Sequence, residues 1–294
     1  MPDRTSTRRG YEAWITGHVL PVWSAQPITA VQPRPVELWL QGLTLAPKSK
    51  AHIRGILRSL WEFAMWRGDV SAVRNPMELV RLSGANRPVK PRRFLTVEEF
   101  QVFRRHLREP NSTIALLCVC LGLRISECLA LKWSDIDWLA YTLSVERGIV
   151  RQIVADTKTP ESRKSIALGP ALIQVVGRWK QATQFGDKGD WMFASPVKLG
   201  TLPVSYPNVL KMFQKAASDA GIDKVSPHVL RHTYQAWLSD MAAPLEIQKK
   251  LMRHTNISMT LKYGDRETLD AMRETNEAIS GLALNGSQNG LQKV

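Results

Sequence analysis

Three short stretches carry side chains whose types and spacing suit a phosphate group. In Pro227–Thr233, PHVLRHT, His228 and Arg231 lie three residues apart. On a helix that spacing puts both on one face. An imidazole beside a forked guanidinium matches a pair of phosphate oxygens, although a surface His and Arg without a task is the plain alternative. In Leu121–Asp137, LGLRISECLALKWSDID, Arg124 stands within an apolar run that predicts burial. A buried guanidinium needs an anion, because removing its charge from water unpaired is costly. Glu127, three residues on, is the internal candidate, and a bound phosphate is the other. In Leu251–Asp265, LMRHTNISMTLKYGD, His254 precedes Tyr263 by nine residues. A phenol with a pKa near about 10 attacks little at neutral pH unless neighbours help it. Otherwise such a tyrosine is a packing residue with a tethered hydroxyl.

The elements that must position these groups are mostly helical. Thr96 followed by Glu99 forms a capping box that starts a helix after Leu95. Thr113–Lys132 reads as a buried helix interrupted near Gly122. Tyr141–Val154 is rich in Val, Ile, Thr and Leu, and Ser165–Leu168 is a second short extended run. Both predict a small antiparallel sheet. From Tyr206 to Ser280 the patterns are helical again, and Asn285–Val294 is polar and expected to fray.

Ahead of these lies a second region. Ala46–Gly68 is its best helix, with Ile53, Ile56, Leu57, Leu60 and Ala64 at i, i+3, i+4 spacing and Phe63 beside them. Lys50, Arg54 and Arg58 recur every four residues on a neighbouring face, which is either a solvated stripe or a phosphate grip. Tyr11–His18, Arg34–Leu43 and Pro76–Leu82 are shorter helical candidates. The stretch Ser83–Phe94, SGANRPVKPRRF, with Gly, two Pro and four basic residues including Arg92 and Arg93, reads as an extended linker. The domains are therefore expected at 1–85, a basic linker at 86–94, a second domain at 95–280 and a flexible tail at 281–294.

Composition narrows the partner. The 294 residues carry a net charge of +14, with 44% hydrophobic and 22% charged residues. Residues 1–93 hold 15 Lys and Arg against 6 Asp and Glu, a net +9, so the basic excess is concentrated there. Such an excess favours a polyanion, because neutralising phosphates releases condensed counterions. Cys118, Cys120 and Cys128 cluster in an apolar stretch, without the spacing of a disulfide framework or zinc site, and predict buried thiols in a reducing compartment. No apolar run reaches membrane-spanning length and no signal-peptide core follows the N-terminus, so a cytoplasmic protein with no membrane partner is expected. No spaced carboxylate cluster suggests magnesium, so neither metal nor other cofactor is expected.

Arginine in GLRISE, a lysine after a strand, HVLRHT, and a histidine nine residues before a tyrosine occur in an order that resembles the tyrosine recombinase (phage integrase) family, Xer/integrase-like. Arg124, Lys158, His228, Arg231, His254 and Tyr263 match the family's six active-site positions, and Glu127 matches an acidic position supporting the first arginine. Arg163 and Lys164 are neighbouring basic candidates for the Lys158 role. The resemblance covers roughly Leu95–Asp265, and Arg34–Leu82, with LAPKSK and NPMELV, looks like the family's core-binding domain.

This resemblance implies a mainly α fold with a small antiparallel β-sheet: an N-terminal helical, SAM-like core-binding domain, then an α+β catalytic domain. It implies site-specific cleavage and rejoining of double-stranded DNA through a 3′-phosphotyrosyl intermediate, by a homo-tetramer on paired DNA sites, with accessory DNA-bending or directionality factors as further partners. Lys50, Arg54, Arg58, Arg92 and Arg93 are the expected DNA contacts. The helix Asp265–Ser280, with Leu269, Met272 and Ile279 on a polar background, often docks onto a neighbouring chain in this family; packing on its own domain is the alternative. Because the first domain begins almost at Met1, the arm-binding module of the phage branch is expected to be absent. The competing functions are type IB topoisomerase-like relaxation and a non-cleaving DNA-binding protein. The helical first domain speaks against the former, and Tyr263 with both arginines against the latter.

Overall fold

The computed structural model describes residues 5–71, 73–84, 93–156, 164–241, 247, 250–251 and 265–285. Arg92, Lys158, Arg163, His254 and Tyr263 lie outside the described residues, as does the chain after Asn285. The chain falls into two compact units, Met1–Lys90 and Pro91–Val294.

In the first unit, α1 (Thr5–Trp14) runs through a π-helical turn, Ile15–Val19, into α2 (Leu20–Trp23). Helices α3 (Pro33–Gly42) and α4 (Pro47–Arg67) follow, each with proline in the first turn, where a missing N–H leaves no bond unmade. Their apolar faces meet in a core of Val19, Val36, Leu40, Ile53, Met77 and Val80. Gly68 ends α4 in the left-handed region, φ +82°, with its N–H on the carbonyls of Ala64 and Met65. Two details correct the sequence reading. Leu60 and Phe63 are exposed, because the later turns of α4 turn Trp61 and Ala64 inward instead, in one stripe with Ile53 and Leu57. Pro76–Leu82 is not a helix but a 3₁₀ turn, Pro76–Glu78, capped by Asn75. Side chains take the backbone groups beyond it: Arg54 donates to the Val80 carbonyl, and the Arg81 N–H donates to Glu37.

The second unit opens with α5 (Val97–Arg105), and its capping box forms as expected: Glu99 N–H reaches Thr96 Oγ1 at 3.2 Å and Thr96 N–H reaches Glu99 Oε2 at 3.0 Å. Helix α6 (Asn111–Leu121) is apolar on every side and buried from Ser112 to Leu121, the central rod of the core. All three cysteines are buried free thiols. Gly122 stops α6 at φ +56°, and the short helix α7 (Ile125–Cys128) begins after it.

The extended segments divide between two sheets. Strands β1 (Ile136–Asp137), β2 (Thr142–Val145) and β5 (Lys164–Ala167) form an antiparallel sheet in the order β1-β2-β5, with Leu143 opposite Ile166. Strands β3 (Arg147–Val150) and β4 (Ile153–Asp156) form a separate hairpin, with Arg147 opposite Asp156. Its turn residues Arg151 and Gln152 take φ +52° and +62°, the mirror-image turn that matches strand twist.

Helices α8 (Pro170–Ala182), α9 (Tyr206–Asp219), α10 (Pro227–Asp240) and α11 (Asp265–Asn285) complete the unit. Helix α11 packs on its own unit, against α6, β5 and α8. Met272, Asn276, Ile279, Ser280 and Ala283 are buried at helical spacing. Asn276 and Ser280, polar by type, belong to this buried stripe, and so the sequence pattern concealed its width. The helix also continues five residues into the expected tail. Among the described residues no helix is long and apolar enough to cross a membrane.

Candidate active site

The site begins at the turn after α6. Gly122 is left-handed, and a Cβ there would drive into the Tyr234 ring, 2.8 Å from Cε1. Only glycine fits this close approach. The turn redirects the chain from the buried rod to the surface, where Arg124 precedes α7. Arg124 is therefore not buried as its apolar context predicted: its side chain is 49% exposed, while that of Glu127 is 13% exposed. Glu127 holds Arg124 twice, accepting from Nη1 at 2.8 Å on Oε1 and from the backbone N–H at 2.9 Å on Oε2. Both oxygens thus fix one arginine, with part of the guanidinium facing solvent.

Helix α10 supplies the second half. Ser226 Oγ caps it by accepting the Val229 N–H at 3.3 Å, and Pro227 sits in the first turn. His228 is exposed on the opening turn, and Arg231 is only 5% exposed. The Arg231 guanidinium donates to the carbonyl of Gly122, two residues before Arg124. The structure therefore brings Arg124 and Arg231, distant in sequence, to the same turn. His232 places its ring 4.3 Å from that of His228, edge to face. Helix α10 is anchored from behind, where Thr233 Oγ1 accepts the Leu95 N–H at 2.9 Å and Trp237 Nε1 donates to the Leu95 carbonyl at 3.1 Å.

Next to this turn lies a pair that motif reading passed over. Arg147 forks onto both oxygens of Asp135 at 2.9 Å, and its side chain is 18% exposed against 4% for Asp135. Burial pushes the Asp135 carboxyl above its ordinary value, although the Lys132 N–H and the Arg147 guanidinium pull it down. Two opposite charges amid apolar residues, in WSDID and VERG, were the available signal.

The expected DNA contacts of the first unit have protein partners. Lys50 Nζ donates to the Gln41 carbonyl at 2.8 Å, Arg54 to Val80 at 2.9 Å, and Arg58 to Glu62 at 2.8 Å and Glu78 at 3.5 Å. Arg93 pairs with Glu99 at 2.8 Å, reinforcing the α5 cap. Each of the four thus has a protein partner at the surface, and Arg58 remains about half exposed beside its carboxylates.

The profile of the phage integrase family matches residues 93–268, more than half of the chain. An integrase of Streptomyces ambofaciens is 29% identical over 272 residues, which cover 83% of this chain and 66% of that protein. Tyrosine recombinase XerD of Caulobacter vibrioides is 29% identical over 247 residues, covering 78% of this chain and 75% of the other. Among solved structures, the Tn1549 transposon integrase in complex with transposon right end DNA superposes with a TM-score of 0.71 at 19% identity, over 92% of this chain and 93% of its own. A lambda integrase dimer bound to a COC′ core site gives 0.67 at 19% identity, over 90% and 93%. The fold is theirs: mainly helical, with small antiparallel sheets. The chain belongs to the phage integrase family, whose tyrosine recombinases cleave and rejoin DNA.

Proposed function

We propose that the chain is a site-specific recombinase in which Tyr263 is the nucleophile. The observation that carries this reading is the convergence of Arg124 and Arg231 on the Gly122 turn, within a chain of this family. The Tyr263 oxygen attacks the scissile phosphorus, the bond to the 5′ oxygen breaks, and a 3′-phosphotyrosyl link remains. His228 takes the tyrosine proton, the Lys158 ammonium gives one to the departing 5′ oxygen, and His254 hydrogen-bonds the phosphate. Arg124, steadied by Glu127, and Arg231 hold the non-bridging oxygens as charge develops. Removing one such preorganised donor typically costs roughly 3–4 kcal/mol of barrier. One phosphoester replaces another, so the step reverses readily onto a different 5′-hydroxyl, without a nucleotide or metal cofactor.

Residues 1–85 serve in this reading as the core-binding domain, 86–94 as a basic linker and 95–280 as the catalytic domain. Each chain takes one half-site of double-stranded DNA, and four chains on two duplexes form the synapse, assisted by DNA-bending or directionality factors. The protein works in the cytoplasm at the nucleoid. DNA-bound dimers and tetramers among the structural relatives support this assembly. The test is Tyr263→Phe on nicked suicide duplexes carrying the chain's own core site. DNA binding should persist and the SDS-stable adduct should vanish. An adduct that survives places the nucleophile elsewhere.

A further inference from the structure

Arg104 lies in the last turn of α5 with its side chain half-buried, yet among the described residues no carboxylate pairs with it. Its one hydrogen bond there is a long one, from Nε to Ser112 Oγ at 3.4 Å. Arg147, in the same range of exposure, forks onto Asp135. Taking a guanidinium partly out of water without an anion is costly, so an unpaired one at this depth marks a place for a ligand.

The surroundings make that charge harder to hold. Arg105, Arg108 and Arg178 carry the same sign, and none of them has a carboxylate partner among the described residues. Burial lowers the Arg104 guanidinium from its ordinary value and the charge of Arg178 adds to this, against the opposing influence of Cys120 and Glu109. Glu109 does not supply the missing anion. Its Oε2 accepts the Thr113 N–H at 3.1 Å, in the first turn of α6. Between these groups lies an open depression of about 240 Å³, lined by Gln101, Arg104, Arg105, Leu107 and Ser112. Gln101 is tied back to α11, donating to the Leu282 carbonyl at 3.0 Å. Ser112 stands at the opposite end of α6 from Gly122, about 15 Å along the helix axis. A phosphate held at the Arg124–Arg231 turn does not reach it.

We propose that Arg104, Arg105 and the Ser112 hydroxyl form a second phosphate-binding site, separate from the site of cleavage. Two guanidinium groups and a hydroxyl offer donors to several oxygens of one tetrahedral dianion, and Arg178 adds attractive potential. A carboxylate, with two oxygens in one plane, satisfies fewer of them. The phosphate belongs either to a DNA backbone or to a free ion, and the two sources separate in the test.

The test uses the full chain and inorganic phosphate, titrated calorimetrically against chloride at constant ionic strength. Arg124→Gln, which weakens the cleavage site, should leave a saturable phosphate site. Adding Arg104→Gln or Arg105→Gln to it should weaken phosphate binding roughly 10–100-fold, the loss expected for a charged hydrogen bond. Arg105 is exposed, so its variant covers the case in which Arg104→Gln fails to fold. A second arm follows duplex binding by the single variants as salt is raised. A slope of log binding constant against log salt reduced by about 0.9 makes a DNA phosphate the ligand, and an unchanged slope beside weakened phosphate binding makes it the free ion. Single-turnover cleavage at saturating DNA should keep the parent rate in both variants, so the site stands or falls independently of the Tyr263 reading. Phosphate binding and salt slope both unchanged in the folded variants would overturn the proposal, and so would acetate binding as tightly as phosphate.

Discussion

The hydroxyl of Tyr234 donates to Oδ1 of Asn276 at 2.8 Å, and Nδ2 of Asn276 donates to the Ala167 carbonyl at 2.7 Å. Both side chains are fully buried. This relay joins α10, which carries His228 and Arg231, to β5 and to α11, whose first residue follows Tyr263 by two positions. Because α11 is built into the core of its own unit through these bonds, its removal should damage folding and not merely uncouple protomers.

Tyr234→Phe should lower the free energy of unfolding by about 1–3 kcal/mol, because Asn276 then keeps a buried acceptor with one partner fewer. Urea unfolding of Tyr234→Phe, Asn276→Ala and the double variant measures the coupling directly. Residues sharing a bond should couple by roughly 0.5–3 kcal/mol. Strictly additive losses would show that the relay contributes nothing as a unit.

Gly122→Ala should be among the most damaging single changes. The left-handed backbone alone costs roughly 1–2 kcal/mol with a side chain present, and the Tyr234 ring must also move. Arg124 and Arg231 both depend on this turn, so cleavage at saturating DNA should fall far more than DNA affinity. A binding isotherm beside single-turnover cleavage separates the two, and equal losses in both would contradict the role given to the turn.

The buried thiols tie stability to pH. Desolvation pushes the Cys120 thiol up to about 12 and holds Cys128 well above its ordinary range. In the unfolded chain a thiol ionises near about 8.5. The folded state therefore keeps protons that the unfolded state releases, so this contribution is complete below about pH 8.5 and is lost as pH rises toward 12. The thermal midpoint should fall on raising the pH above about 9, and less steeply in a Cys120→Ala, Cys128→Ala variant measured against its own baseline. Alkylation at pH 8.5, followed by mass spectrometry, should be slow in buffer and rapid in urea at all three cysteines.

The basic face of α4 can be divided by function. Arg58 is exposed and its partners Glu62 and Glu78 are half-exposed, a kind of pairing worth little to stability. Arg58→Ala should leave unfolding unchanged, while the slope of log binding constant against log salt drops by about 0.9 if one phosphate contact is lost. Arg54→Ala should also destabilise, because the Val80 carbonyl loses its donor. An unchanged salt slope in the combined Lys50, Arg54 and Arg58 variant would make the stripe a solvated helix face.

Rules that act over a few residues were legible without coordinates. The Thr96–Glu99 box depends on groups three residues apart, the break at Gly122 on one backbone angle, and the shared face of His228 and Arg231 on helical pitch. The strand content of Tyr141–Val154 was also readable. Its division between two sheets was not, because β2 and β3 differ in their distant partners rather than in composition.

Burial and pairing belong to the folded chain. Arg124 looked buried because its neighbours are apolar, yet Gly122 turns it outward, and Arg231 reaches that turn from 109 residues away. Phe63 looked like core until the first unit buried the neighbouring Trp61 and Ala64 and left the face with Phe63 outside. Asn276 and Ser280 looked like surface until carbonyls within the core accepted their donors. Residue types and short spacings thus determined which helices form and which side chains could meet a phosphate. Only tertiary structure decided which of them face solvent and which fork, turn or relay holds them, because desolvation and hydrogen-bond geometry depend on neighbours that the chain supplies from far along its length.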